Sequence, residues 1–209
     1  MVGLNRPGKI VCVGRNYRAH ADELGHRLPA EPLLFLKPPS AVIGQGDAIV
    51  LPRLPQHLSR VDHEGELVAI IGRAIRQVSA SVALEAVAGY ACGNDVTARD
   101  LQNAEDQWTR AKGFDTFCPL GPGRVAVDPG DLGIVTRVNG EIRQSSRTRD
   151  LVFGVGELIA YISECMTLEP GDAVFTGTPA GVGPLVDGDV VEVEIEGIGV
   201  LRNPVRAAP

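Results

Sequence analysis

The chain has 209 residues, of which 44% are hydrophobic, 22% charged and 4% aromatic, with a formal net charge of -6 at pH 7. This length and balance suit one domain, residues 1–209, with a substantial core, and exclude a disordered or low-complexity chain. Acidic charge, few aromatics and no basic run argue against a nucleic-acid partner, so an anionic substrate has to be captured by local cations.

The first eight residues carry no apolar leader core, and no stretch approaches eighteen consecutive apolar residues. The expectation is a soluble cytoplasmic protein with no membrane partner. Cys12, Cys92, Cys118 and Cys165 are widely spaced, form no Cys-x-x-Cys pair and are expected to be buried free thiols. The 25 glycines and 15 prolines imply many turns in a strand-rich architecture.

Residues 9–14 read as a short buried strand, and the polar run 15–25 as a short helix stopped by Gly25, with His20 and Glu23 sharing a face. A carboxylate at that spacing orients an imidazole, and the two together can activate a water; a solvated helix face has the same spacing. Residues 33–36 form a strand that delivers Lys37 to the rigid Pro38-Pro39 exit, as a substrate ligand or as a solvent-facing lysine. A further strand, 48–51, precedes the turn-rich stretch 52–60.

The segment 61–72 organises the rest. Apolar residues run from Leu67 to Ile71 and are ended by Gly72. If the strand starts earlier, its period of two puts Glu64 and Glu66 on one face, separated by Gly65. Two carboxylates roughly 7 Å apart beside a core repel unless they share a proton or a cation. Asp95, at the polar end of another apolar stretch, supplies a third carboxylate. An all-oxygen donor set favours Mg²⁺ or Mn²⁺ over zinc, and few protein ligands leave positions for water and substrate.

Residues 79–88 have helical spacing, with Ser79 or Ser81 as N-cap, and a strand follows that ends near Asp95. Residues 98–106 turn helical, so that Gln102 reaches back toward Asp95. Lys112 falls in a Gly-rich turn, 111–115, with apolar neighbours and Trp108 packed beside it; a partly desolvated ammonium there can bind a carboxylate and stabilise an enolate. Residues 134–145 form a hairpin around Asn139-Gly140, and 157–166 an amphipathic helix. Residues 173–176 enter the sheet, and the loop 177–183 lets backbone amides and the Thr178 hydroxyl approach an anion, or serves only as a tight turn. In the final alternation, Val191, Val193 and Ile195 face inward and Glu192, Glu194 and Glu196 face solvent. No dinucleotide fingerprint, nucleophile elbow or His-Glu-x-x-His motif is present.

Six blocks in order carry a resemblance: 14–17 with His20 and Glu23, 35–38, 64–67, 94–102, 112–122 and 177–183. Over nearly the whole chain the sequence resembles the fumarylacetoacetate hydrolase family, in its short single-domain form. The strand-rich pattern alone gives an α+β domain; the resemblance adds a mixed β-sandwich roll and a homodimer. It implies a Mg²⁺ or Mn²⁺ site at Glu64, Glu66 and Asp95, and a catalytic dyad of His20 and Glu23 on a lid segment, 15–28. It further implies that Lys112 is catalytic and that Arg15, Lys37, Gln102 and Thr178 bind an anionic oxo acid.

The implied activity is metal-dependent chemistry on a small 2-oxo or 1,3-diketo acid through a stabilised enolate, with carbon-carbon hydrolysis of an acylpyruvate preferred. Decarboxylation of oxaloacetate and isomerisation of an unsaturated oxo-dicarboxylate use the same enolate and are the alternatives. A silent oxo-acid-binding protein is the reading from another class, opposed by the retention of His20, Glu23 and Lys112.

Overall fold

The computed structural model describes residues 7–23, 28–121 and 123–209. The strand Gly65–Ile71 lies between Ala173–Phe175 and Val87–Asn94 in a five-stranded sheet that continues through Ile10–Gly14 to the edge strand Leu33–Lys37. Ile10–Gly14 pairs parallel with Ala173–Phe175, and the remaining pairings are antiparallel. A second five-stranded sheet runs in the order Glu141–Arg147, Gly133–Val138, Val190–Ile195, Gly199–Ala207, Ile49–Leu51.

The unbroken apolar run from Leu67 to Ile71 exists because both faces of that strand are covered. Leu67, Ala69 and Ile71 pack with Ile134, Val193 and Ile195 of the second sheet and with Ile159 and Ile162 of the helix Val155–Cys165. Val68 and Ile70 join a different cluster with Ile10, Cys12, Ala91, Cys118 and Phe175. Glu66 falls on this second face by alternation, and Gly65 on the face that meets the second sheet. The expected strand-rich α+β sandwich roll is therefore formed.

A small third sheet, in the order Gly183–Pro184, Val61–His63, Thr97–Ala98, ties the acidic segments to the loop that follows Phe175. The hairpin around Asn139-Gly140, both at positive φ, and the outward-facing glutamates are as expected, with Glu194 paired to Arg137 (2.6 Å). Helix limits are shorter than expected at two places. Ala80–Glu85 ends early because Val87 already enters the long strand, and Arg99–Ala104 starts after Ala98, which pairs with Val61. The expected stop at Gly25, and with it residues 24–27 of the lid 15–28, lies outside the described residues. Three of the four cysteines are buried; Cys165, at the end of its helix, is exposed, which corrects the expectation for that thiol. Among the described residues no helix is long and apolar enough to cross a membrane.

Candidate active site

Glu64 occupies a break between the strands Val61–His63 and Gly65–Ile71, so the expected single strand is interrupted at its first carboxylate. There the Asn94 side chain replaces a ladder partner: Glu64 N–H donates to Asn94 Oδ1 (2.9 Å), and the Glu64 carbonyl accepts from Asp95 N–H (2.8 Å). The two acidic motifs are thereby joined through the backbone. Gly65 is required because a Cβ there would lie 2.0 Å from Thr136 Oγ1 and 3.3 Å from Val193. The close approach of the second sheet leaves no room for a side chain between the two glutamates.

Ligand oxygens of Glu64, Glu66 and Asp95 lie within 4.8 Å of one another, and all three residues are buried. Lys112 Nζ bridges two of them, donating to Glu64 Oε2 (2.9 Å) and Asp95 Oδ2 (2.6 Å). Lys37 Nζ donates to Asp95 Oδ1 (2.5 Å) and to the Val96 carbonyl (3.0 Å), and Arg99 Nη2 pairs with Glu64 Oε1. Among the described residues Glu66 has no cation partner, and its Oε2 accepts only from Gly177 N–H (2.7 Å).

That asymmetry separates the two glutamates. Burial raises the Glu64 carboxyl, but the adjacent Lys112 and Arg99 outweigh it and hold the group well below the usual carboxylate range. Burial pushes Glu66 well up, Asp95 and Glu64 add to the rise, and the Gly177 N–H offsets only part of it. Burial also depresses Lys112, yet Asp95 and Glu64 raise it overall, so the ammonium stays charged.

A divalent ion fits this donor set. The three carboxylates converge, each oxygen retains a second lone pair beyond the hydrogen bond it accepts, and Glu66 lacks the positive charge that its burial calls for. Hard oxygen donors of this kind suit Mg²⁺ or Mn²⁺.

The carboxylates line a cavity of about 420 Å³, whose walls also include Val13, Arg15, His20, Phe35, Trp108 and Lys112. Lys112 Nζ lies 4.9 Å from the Phe35 ring centroid, and Trp108 meets Phe35 edge-on at 5.3 Å. His20 comes from the helix Arg18–Glu23, is buried, and places Nδ1 3.4 Å from Glu23 Oε2. Both Glu23 oxygens accept from Gly181 N–H at 3.1 Å. Burial lowers the His20 pKa below its usual value, with Glu64 and Glu23 opposing the shift, so the imidazole is neutral near pH 7. The orienting contact to Nδ1 leaves Nε2 as the nitrogen able to accept a proton.

Several residues sit differently from expectation. Lys37 is buried, donates to Asp95 and is not among the residues that line the cavity. Lys112 is the last residue of the helical turn Thr109–Lys112, not part of a loop, and its ammonium already bridges Glu64 and Asp95. Gln102 lines the cavity, but its Oε1 accepts from Arg99 Nη1. Thr178 also lines the cavity, with its hydroxyl donating to the Gly65 carbonyl (2.9 Å) and accepting from Gln144 Nε2 (2.7 Å). Arg15 lines the cavity with its backbone at φ 58°.

Sequence reasoning assigned no role to Arg99, Asp62, Asn16 or Gln144. Arg99 joins Glu64 to Asp62, and Asn16 bonds Phe153 N–H and carbonyl as well as the Thr176 carbonyl. The signal for Arg99 was available, since it lies within the Asp95 motif; Gln144 sits in a polar hairpin strand with nothing local to mark it.

Residues 9–206 match the fumarylacetoacetate (FAA) hydrolase C-terminal family. The chain belongs to the fumarylacetoacetate hydrolase family. Among solved structures it is similar to a 2-hydroxyhepta-2,4-diene-1,7-dioate isomerase from Mycobacterium marinum, at 50% identity and TM-score 0.88, over 97% of this chain and 75% of that one. A 5-carboxymethyl-2-hydroxymuconate delta-isomerase from Mycobacterium smegmatis matches at 50% identity and TM-score 0.90, over 98% and 80% of the two chains. A mitochondrial oxaloacetate tautomerase of Bos taurus is 45% identical over 97% of this chain and 68% of its own length.

Proposed function

We propose that this member of the family moves a proton between carbon and oxygen, or between two carbons, of a small 2-oxo acid through its enolate, as a tautomerase or isomerase. The observation that carries the reading is the convergence, in one cavity, of three carboxylates and one buried neutral imidazole whose free nitrogen is Nε2. Carbon-carbon hydrolysis, the preference drawn from the sequence, gives way to this alternative because the three relatives named above carry isomerase and tautomerase names.

Glu64, Glu66 and Asp95 hold the divalent ion, which when bound supplies charge stabilisation for an enolate at neutral pH. His20 Nε2 removes the proton from the carbon beside the 2-oxo group and returns it at oxygen or at the far end of the conjugated system. Glu23, itself fixed by Gly181 N–H, keeps the imidazole proton on Nδ1 and stabilises the imidazolium that forms between the two transfers. Lys112 ties Glu64 to Asp95 and keeps a positive charge beside the developing enolate. Phe35, Trp108 and Val13 give the cavity an apolar wall, a surface that favours return of the proton over hydrolysis. A homodimer and a cytoplasmic setting belong to the same proposal.

The experiment is turnover of purified, Mg²⁺-loaded protein on the enol forms of oxaloacetate and of an unsaturated 2-hydroxy dienedioate, beside an acylpyruvate. Faster turnover of the first two supports the reading; acylpyruvate cleavage that outruns both restores the hydrolase.

A further inference from the structure

We propose that Arg60, held by Asp62, is the clamp for the second carboxylate of a dicarboxylic substrate. The inference rests on the tautomerase or isomerase reading of the cavity and assigns a specificity residue within it.

Arg60 lines the cavity beside Gln102 and Asn103 yet makes no contact with Glu64, Glu66 or Asp95. A chain of charge contacts runs outward from the acidic cluster: Glu64 pairs with Arg99, Arg99 Nε donates to Asp62 Oδ2 (2.8 Å), and Asp62 pairs with Arg60. Arg99 therefore serves the proximal site, and Arg60 is one guanidinium farther out. Its side chain is 49% exposed, whereas that of Asp62 is 0% exposed.

Arg60 is fixed more firmly than an ordinary surface arginine. Its Nε donates to Asp62 Oδ1 (2.8 Å) and its Nη2 to Asp62 Oδ2 (3.0 Å). Its backbone N–H donates to Asp100 Oδ2 (2.9 Å), and its carbonyl accepts from Arg99 N–H (2.8 Å). Both N–H bonds of Nη1 and the second on Nη2 have no protein acceptor among the described residues. A planar fork with one edge anchored and donors left over presents them to an anion with little further loss of side-chain entropy.

The neighbouring group is also a donor. Arg99 occupies Gln102 Oε1, so the amide is turned with its Nε2 hydrogens unengaged among the described residues. A cavity with oxygen ligands at one end and unspent N–H groups at its rim accepts a molecule that is anionic at both ends. The chain's net charge of -6 makes this cationic rim a local feature, not a reflection of the whole protein.

Arg60 also neutralises buried Asp62, so loss of function on substitution would not by itself identify a clamp. The test is binding of 2-oxoglutarate and 2-oxovalerate to the Mg²⁺-loaded protein by calorimetry. These share the 2-oxo carboxylate and differ in a terminal carboxylate against a methyl. Wild type is expected to prefer 2-oxoglutarate. Arg60→Gln should weaken 2-oxoglutarate by about 10- to 100-fold, the cost of one charge-assisted interaction, while 2-oxovalerate changes by less than about twofold. Arg60→Lys, which keeps the charge for Asp62 but loses the fork, should fall between. Equal weakening of both ligands, no weakening of either, no wild-type preference, or no binding of either ligand overturns the clamp. Oxaloacetate turnover is read separately: its absence, with the ligand discrimination intact, removes the tautomerase reading and leaves the clamp standing.

Discussion

Gln144 Oε1 accepts from Gly65 N–H at 2.9 Å while its Nε2 donates to Thr178 Oγ1 at 2.7 Å, so one fully buried side chain joins the Glu-Gly-Glu segment to the loop beyond Phe175. The same Nε2 reaches the Pro179 carbonyl (2.7 Å). Replacing it strands buried polar groups on two elements, at about 1–3 kcal/mol each. Gln144→Leu is expected to lower the urea midpoint and to weaken Mg²⁺ binding. Gln144→Glu keeps the acceptor for Gly65 but cannot donate, so it should also lose stability. Unchanged midpoints in both variants would remove Gln144 from the account.

Gly65 makes a sharper steric prediction. A Cβ at this position would sit 2.0 Å from Thr136 Oγ1, and that hydroxyl is buried with no hydrogen-bond partner among the described residues. Gly65→Ala should displace the two glutamates and reduce metal affinity, whereas Thr136→Ala alone should be nearly silent in stability. The double variant should recover part of the loss, a non-additivity readable in a double-mutant cycle. Strict additivity would show that the two residues do not oppose each other.

Glu64 and Glu66 should respond oppositely to neutralisation in the absence of metal. Glu64 is held below its usual value by Lys112 and Arg99 despite burial, so its contribution to stability is full above the unfolded value near 4.5 and is lost as pH falls below it. Glu66 is raised, so the folded protein binds its proton more tightly than the unfolded chain, and the group disfavours folding increasingly as pH rises above 4.5. At neutral pH, Glu64→Gln should destabilise the metal-free protein, by about 3–5 kcal/mol if the buried cations are left uncompensated. Glu66→Gln should be neutral or stabilising, yet should weaken Mg²⁺ binding and turnover. Thermal melts with and without chelator, beside metal titrations, distinguish the two; a Glu66→Gln protein that binds Mg²⁺ as wild type does contradicts the metal site.

Much of this site was legible because its chemistry is local in sequence. Glu64 and Glu66 straddle one residue, His20 and Glu23 lie one helical turn apart, and the apolar run after Glu66 shows that a covered strand follows. The interruption at Glu64 was not legible, because it depends on the Asn94 side chain taking a ladder position. Lys37 was read as a substrate ligand or a solvent-facing lysine and Lys112 as a catalytic ammonium; nothing in their own neighbourhoods shows that three-dimensional packing pairs both ammonium groups with Asp95. Gln144 was missed for the same reason: its partners are 79 and 34 residues away in the chain. The helix around Lys112 is only one turn long, too short for a periodic pattern.

The pH profile tests the state of His20. Burial holds its pKa below the usual 6.5, so the base is free at neutral pH and becomes protonated only in more acidic solution. The acid limb of kcat/KM should therefore fall below pH 6.5. Glu23→Gln removes a partner that raises the pKa, which should move the limb further down and lower kcat. An acid limb above 6.5 would contradict the lowering of the His20 pKa by burial.

The measurement closest to the central claim is the rate of oxaloacetate enol-to-keto conversion, followed by the loss of enol absorbance, for wild type and His20→Ala with Mg²⁺ present. The site as described predicts acceleration over Mg²⁺-containing buffer, abolished by chelator and restored by Mg²⁺ or Mn²⁺. It also predicts a roughly 10²- to 10⁴-fold drop in kcat for His20→Ala, the usual contribution of a positioned base, with metal affinity retained. A wild-type rate no faster than buffer, or a His20→Ala rate equal to wild type, would contradict it.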